Sequence, residues 1–175
     1  KMAFNLLKRH NFEIKKIKKV NYHGGSIRIY AKKNWHPKKI KSVKSLIMKE
    51  ENFGLFTINT YKKLSHFINL QKKKILKKIK ILKEKGGVII GIGAAAKANT
   101  FLNTFEITNK FLDFITENSI YKIGKFTPKS RIPILHDNEI IEYKKIYAIV
   151  LSWNIAKTLK LKLKKLNKKI VFLSF

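Results

Sequence analysis

The sequence predicts an α/β fold built on a small parallel sheet with helices on both faces. Three observations carry this. From Val88 onward, short apolar runs alternate with helix-length amphipathic stretches. The runs Val88-Ile89-Ile90 and Ile146 to Leu151 are apolar throughout, as strands buried on both faces are. Glycines stand where the first of these strands gives way to a helix, at Gly91 and Gly93.

The 175 residues allow one ordinary domain, or a small domain plus a piece of another. Hydrophobic residues make up 45% of the chain, which supports a packed core and excludes wholesale disorder. No apolar run is long enough for a membrane-spanning helix. With no cysteine there is no disulfide framework, thiolate metal site or cysteine nucleophile. The chain opens Lys1-Met2 without a signal-peptide pattern, and the expectation is that the natural N-terminus lies upstream.

Residues 2–11 read as a short helix with Phe4, Leu6 and Leu7 on its apolar face. Residues 12–20 read as a strand whose spacing slips between Ile14 and Ile17, which predicts a bulge. Tyr22-His23-Gly24-Gly25-Ser26 is a turn, and 27–31 a second strand. Such a unit buries a face only if more sheet lies upstream. Asn34 to Lys39, with Pro37, marks a boundary, and 40–52 is helical. Residues 59–85 form a long helix with Leu64, Phe67, Ile68, Ile75, Ile79 and Leu82 on one face and lysine on the other, ended by Gly86-Gly87. Strand 88–90, helix 94–105, strand 111–116, loop 118–131, strand 132–135, short helix 138–143, strand 146–151, helix 155–166 and strand 170–173 complete the chain.

The 40 Lys and Arg against 10 Asp and Glu give a net charge of +30, which invites a nucleic-acid reading. The detail argues otherwise. Only Arg9, Arg28 and Arg131 are arginine, so 40 − 3 = 37 are lysines, spread along the whole chain. Base and phosphate readout favours the bidentate Arg fork. Lysine shares A/T-rich codons with the abundant Ile and Asn, 26 and 14 in number. Non-specific attraction to anions remains expected.

The strongest local feature is Gly91-Ile92-Gly93-Ala94-Ala95-Ala96-Lys97-Ala98-Asn99-Thr100, between a strand and a helix. It matches G-x-G-x-x-A. Such a turn brings free backbone N–H groups to a phosphate or carboxylate at a helix N-terminus, with Lys97 as an added charge. Glu117 closes the next strand, where dinucleotide folds hold a ribose hydroxyl. A tight strand-to-helix turn with no ligand needs the same glycines. His23 is a candidate general base, although a histidine in a turn is commonly inert. Ser152-Trp153-Asn154 falls on the same carboxyl edge as Gly91 and Glu117; Trp153 also suits a core, and Asn154 a helix N-cap. The histidines show no metal spacing.

Together the segments His23-Gly24-Gly25-Ser26-Ile27-Arg28-Ile29-Tyr30-Ala31, Gly91 to Thr100 and Ser152-Trp153-Asn154-Ile155-Ala156 resemble the C-terminal part of the sugar C-methyltransferases. So does the run Glu117, Lys122, Gly124, Lys125, Phe126, Pro128 and Ile132-Pro133-Ile134. Glu117 stands where that family commonly has Asp, Lys129 where it has Gly, and Arg131 where it has His. The resemblance implies a cytoplasmic transferase acting on a nucleotide-linked deoxy-keto sugar with S-adenosylmethionine. It implies residues 1–36 as the closing part of the methyltransferase domain, 37–86 as a helical connector, and 87–175 as a Rossmann-like C-terminal domain. The zinc-binding N-terminal domain, the S-adenosylmethionine loop and the main catalytic segment of the family lie upstream of these residues. This chain alone is therefore expected to be inactive and to contribute substrate binding through Ser26, Gly91, Gly93, Ala94, Lys97, Asn99, Glu117, Lys122, Trp153 and Asn154, with His23 as its catalytic candidate and no metal ligand. Its partners would be the nucleotide-sugar and the upstream methyltransferase portion, with no membrane. Two alternatives stand beside this reading: a stand-alone nucleotide- or dinucleotide-binding module, and a basic nucleic-acid binder.

Overall fold

A computed structural model describes residues 1–22, 24–33 and 41–174. The chain folds as two compact units, Lys1–Ser65 and His66–Phe175, and the division falls inside a long helix. The expected boundary at Asn34 to Lys39 and the candidate base His23 lie outside the described residues.

In the first unit, helix α1 (Met2–Arg9) leads into an antiparallel hairpin of β1 (Phe12–Val20) and β2 (Ser26–Lys33). The pairing slips between Ile14 and Lys16, the irregularity expected from the apolar spacing. Side chains alternate along a strand, so the extra residue brings Ile14 and Ile17 to one side. Both line an apolar hollow of about 280 Å³ with Ile29, Val43 and Phe56. Val43 is the buried residue of α2 (Lys41–Asn52). Lys1, Glu50 and Tyr61 line it too, and the Lys1 amino group is paired with Glu50. β2 is exposed along almost its whole length, including Ile27 and Tyr30.

Helix α3 (Ile58–Glu84) begins in the first unit and continues into the second. Its apolar periodicity predicts a continuous buried face from Leu64 to Leu82. The structure buries Ile75 and Ile79 and leaves Leu64, Phe67 and Leu70 exposed. Length explains this: a 27-residue helix runs about 40 Å, whereas a five-residue strand runs about 17 Å. Within the second unit the stripe extends past the sheet at Phe67 and Leu70.

The second unit holds a five-stranded, all-parallel sheet in the order β5-β4-β3-β6-β7. The strands are β3 (Val88–Ile92), β4 (Phe114–Glu117), β5 (Ile134–His136), β6 (Ile146–Val150) and β7 (Val171–Leu173). Helix α4 (Ala96–Phe105) joins β3 to β4, and α5 (Ala156–Leu166) joins β6 to β7. One core lies on the side of α3 and α4, around Ile79, Ile89, Leu102 and Ile115. The other lies on the side of α5, around Ile90, Phe114, Ile146 and Leu163. Helices thus cover both faces, which is the predicted Rossmann-like α/β arrangement.

Several boundaries differ from expectation for local reasons. β4 starts at Phe114, because Phe111 and Leu112 turn back onto the Thr108 carbonyl and the Asp113 carboxylate accepts the Ile89 N–H at 2.8 Å. Residues 138–143 are not an α-helix; a short 3-10 turn (Asp137–Ile140) takes their place, and His136 Nδ1 accepts the Asn138 N–H at 3.2 Å. The helix expected from 155 is preceded by another 3-10 turn, Trp153–Ile155.

Candidate functional site

The chain leaves β3 by α4 toward β4, and leaves β6 by α5 toward β7 on the other side. β3 and β6 are neighbours, so the connections diverge at their carboxyl ends, the switch point where ligands bind in such sheets, hereafter the crevice. The Gly93 turn forms one wall and Ser152-Trp153-Asn154 the other.

The Gly93 turn is tied down by β4. The Gly93 N–H donates to the Thr116 carbonyl at 2.9 Å and the Ala94 N–H to Glu117 Oε2 at 3.1 Å. For this reason α4 starts at Ala96, two residues later than expected. Glu117 Oε1 accepts the N–H groups of Asn118 and Ser119 at 3.0 and 3.3 Å, and Lys122 Nζ lies 3.2 Å from Oε2. These four donors fill the carboxylate's acceptor positions. Partial burial works to raise its pKa, but the Asn118 N–H, the Lys122 ammonium and the Ser119 N–H outweigh it and hold the carboxyl below its ordinary value. Glu117 therefore clasps the two turns together and has no acceptor left for a ribose hydroxyl.

The two glycines of the motif serve different ends. Gly91 is buried in mid-strand, where a Cβ would come within 2.6 Å of Leu151 and 2.9 Å of Ile115. It permits close packing of three strands and faces no opening. Gly93 has a φ of +85°, and a Cβ there would lie 2.8 Å from Ser152 Cβ and closer still to its Oγ. The Ser152 hydroxyl is thus aimed at the turn. Ser152 is 6% exposed, and among the described residues its side chain makes no hydrogen bond.

Both helices that open on the crevice lack a side-chain cap and have no acidic residue in the first turn. The amides of Ala96 and Lys97 stand at helix positions with no carbonyl a turn behind them. Asn154, expected as an N-cap, is exposed within the 3-10 turn instead, and Ile155 occupies the position before α5. Lys97 Nζ lies 4.4 Å from the ring centre of Trp153, whose side chain is 52% exposed. Trp153 is therefore not a core residue. Asn99 is half-buried further along α4. Ser26 belongs to the first unit, where its Oγ donates to the Tyr22 carbonyl at 3.0 Å.

Sequence reasoning missed Asp137. It is buried, and its Oδ2 accepts from Asn118 Nδ2 at 2.8 Å and pairs with Lys162 Nζ at 3.0 Å, joining the loop after β4 to α5. The His136-Asp137-Asn138 triplet ahead of a short helix was its sequence signal. Thr116 was missed too; its Oγ1 is buried without a partner among the described residues. The loop after Glu117 keeps left-handed backbone at Lys129 (φ +63°) and Arg131 (φ +55°), held by a 2.7 Å hydrogen bond between the hydroxyls of Thr127 and Ser130. Among the described residues no three His, Asp or Glu side chains converge as metal ligands, and no helix is long and apolar enough to cross a membrane.

An ammonium over an indole face, an unpaired hydroxyl and two uncapped helix starts suit a ligand with a flat ring and an anionic group. Residues 21–172 match the family described as the C-methyltransferase C-terminal domain. Over 152 residues the chain is 23% identical to the C-methyltransferase NovU of Streptomyces niveus, an alignment covering 86% of this chain and 36% of that protein. The chain spans about a third of the length of this curated relative. With the match running from the hairpin turn to the last strand, the chain belongs to the C-methyltransferase C-terminal domain family.

Proposed function

We propose that this chain is the substrate-binding part of an S-adenosylmethionine-dependent C-methyltransferase that acts on a nucleotide-linked deoxy-keto sugar. The nucleotide enters the crevice between β3 and β6, and the methyl donor is bound elsewhere in a longer protein. Gly93, Ala94, Glu117 and Lys122 shape the crevice. Lys97, Trp153 and Asn154 face the ligand, with Asn99 behind them. Ser26 belongs to the hairpin, which docks on an upstream methyltransferase body, and His23 is assigned by the family resemblance to the same inter-domain cleft. The exposed β2 supports that docking, because a two-stranded sheet with one side bare gains stability from further sheet.

The observation that carries the reading is the saturation of Glu117. A dinucleotide or an adenosine cofactor in this fold rests its ribose diol on an acidic residue at the end of the second strand. Here that carboxylate already holds four donors. The crevice keeps its cationic and aromatic groups for a ligand and withholds an acid. This favours a nucleoside diphosphate over NAD or S-adenosylmethionine. The resident chemistry of methyl transfer to carbon needs a base and a donor held in line, and the crevice supplies neither. Zinc has no ligand set among the described residues and would belong to the upstream portion.

Equilibrium dialysis of the chain against thymidine diphosphate, uridine diphosphate, NAD and S-adenosylmethionine tests this. Saturable binding of a nucleoside diphosphate, with none of the other two, is the expected result. Binding of NAD or S-adenosylmethionine in preference to both diphosphates would overturn the proposal, as would methyl transfer by this chain alone.

A further inference from the structure

We propose that Lys97 and Trp153 form a latch across the crevice that the ligand opens: the nucleobase takes the place of the Lys97 ammonium on the indole, and Lys97 turns onto the diphosphate. This rests on the reading of the crevice as a nucleotide site and says which residue takes which half of the ligand.

The two residues come from opposite walls. Lys97 lies in the first turn of α4, after β3, and Trp153 in the 3-10 turn after β6. Their contact, 4.4 Å from Nζ to the ring centre, therefore bridges the point where the sheet connections diverge. Lys97 has no carboxylate partner among the described residues, although Lys72, Lys83, Lys122 and Lys162 each have one. Its resting partner is the indole face itself, which holds a cation weakly at a half-exposed site and is the surface on which a base stacks.

Behind the pair stands a place for an anion. Ser152 is more than nine-tenths buried, its hydroxyl is unpaired among the described residues and aimed at the Gly93 turn, and the amides of Ala96 and Lys97 stand at the uncapped start of the helix that follows that turn. Glu117 has taken the Ala94 amide, so the anion is met by the following amides, by Ser152 and by a released Lys97. A rearranged lysine thus gains a full opposite charge in exchange for a ring face, and the ring gains a flat partner.

A latch leaves a signature that a passive site does not. Removing the lysine frees the indole, so an uncharged nucleoside should bind more tightly, while a diphosphate loses its cation and should bind more weakly. The experiment uses the Trp35→Phe chain, which leaves Trp153 as its tryptophan, and measures thymidine and thymidine diphosphate by dialysis and by indole emission. Lys97→Met is expected to tighten thymidine about two- to five-fold, the worth of a half-exposed cation–π contact. It is expected to weaken thymidine diphosphate about ten-fold, and Trp153→Leu to weaken both about ten-fold. Dialysis that shows diphosphate binding with no change in Trp153 emission, or Lys97→Met that weakens both ligands alike, overturns the latch and leaves the nucleotide site standing. No binding of either ligand in dialysis overturns both.

Discussion

The wedge of Ser152 against Gly93 gives a sharp test of how the crevice is built. Gly93→Ala adds a methyl group at a φ of +85°, which costs about 1–2 kcal/mol for a residue with a Cβ. It also drives that Cβ to 2.8 Å from Ser152 Cβ and into its hydroxyl, and overpacking of this kind costs about 1–3 kcal/mol. The expected loss is the combined effect, about 2–5 kcal/mol. Gly86→Ala isolates the first part, because Gly86 has a φ of +71° with nothing within 4 Å of its would-be Cβ; it should lose only about 1–2 kcal/mol. Adding Ser152→Gly to Gly93→Ala removes the obstacle and should return the overpacking part, so the two changes should couple by about 1–3 kcal/mol. Urea unfolding followed by circular dichroism measures the parent, the single variants Gly93→Ala, Gly86→Ala and Ser152→Gly, and the double variant. If Gly93→Ala is no worse than Gly86→Ala, or if Ser152→Gly returns nothing, the close approach of the two crevice walls is wrong.

Three further perturbations follow from the same geometry. Glu117→Gln keeps the shape but removes the charge that gathers four donors, and should cost about 1–2 kcal/mol after allowance for solvent screening. Because the folded carboxyl titrates below 4.5, its contribution is complete above that pH and is lost as pH falls through the lowered folded value; an acid titration of stability should therefore flatten in the variant, and an unchanged acid limb would contradict this. Lys129→Gly should stabilise the protein by about 1 kcal/mol, since its φ of +63° is the glycine-favouring region; a drop in melting temperature would refute the strain. Asn167→Ala should cost about 2–4 kcal/mol, because its buried Nδ2 donates to the Ile140 and Tyr143 carbonyls at 2.6 and 2.9 Å and its Oδ1 accepts the Lys169 N–H; a loss below about 0.5 kcal/mol in urea unfolding would show those bonds to be dispensable.

The Lys129 backbone also explains a departure noted from the sequence. A lysine stands where the family resemblance has glycine, and the loop keeps the left-handed conformation that glycine would favour. The hydrogen bond between Thr127 and Ser130, both buried, holds the loop in that form. A local residue preference has yielded to a tertiary constraint.

What the sequence determined by itself is the periodic part of the molecule. The slip at Ile14–Ile17, the apolar β3 and β6, and the glycine turn opening α4 were all legible, because each depends on residues a few positions apart. The tertiary structure alone decided what those elements present to a ligand. Phe67 follows the same period as Ile75 and Ile79, yet of these only Ile75 and Ile79 are buried against the sheet, because burial depends on how far a neighbour extends. Glu117 looks in sequence like an acid awaiting a hydroxyl, yet three nearby donors and an amide 23 residues away together saturate it. Lys97 and Trp153 lie 153 − 97 = 56 positions apart and meet because β3 and β6 are neighbours in the sheet. Local period is written in side-chain order along the chain, whereas the pairing of distant hydrogen-bond donors, acceptors and ring faces exists only once the strands have chosen their neighbours.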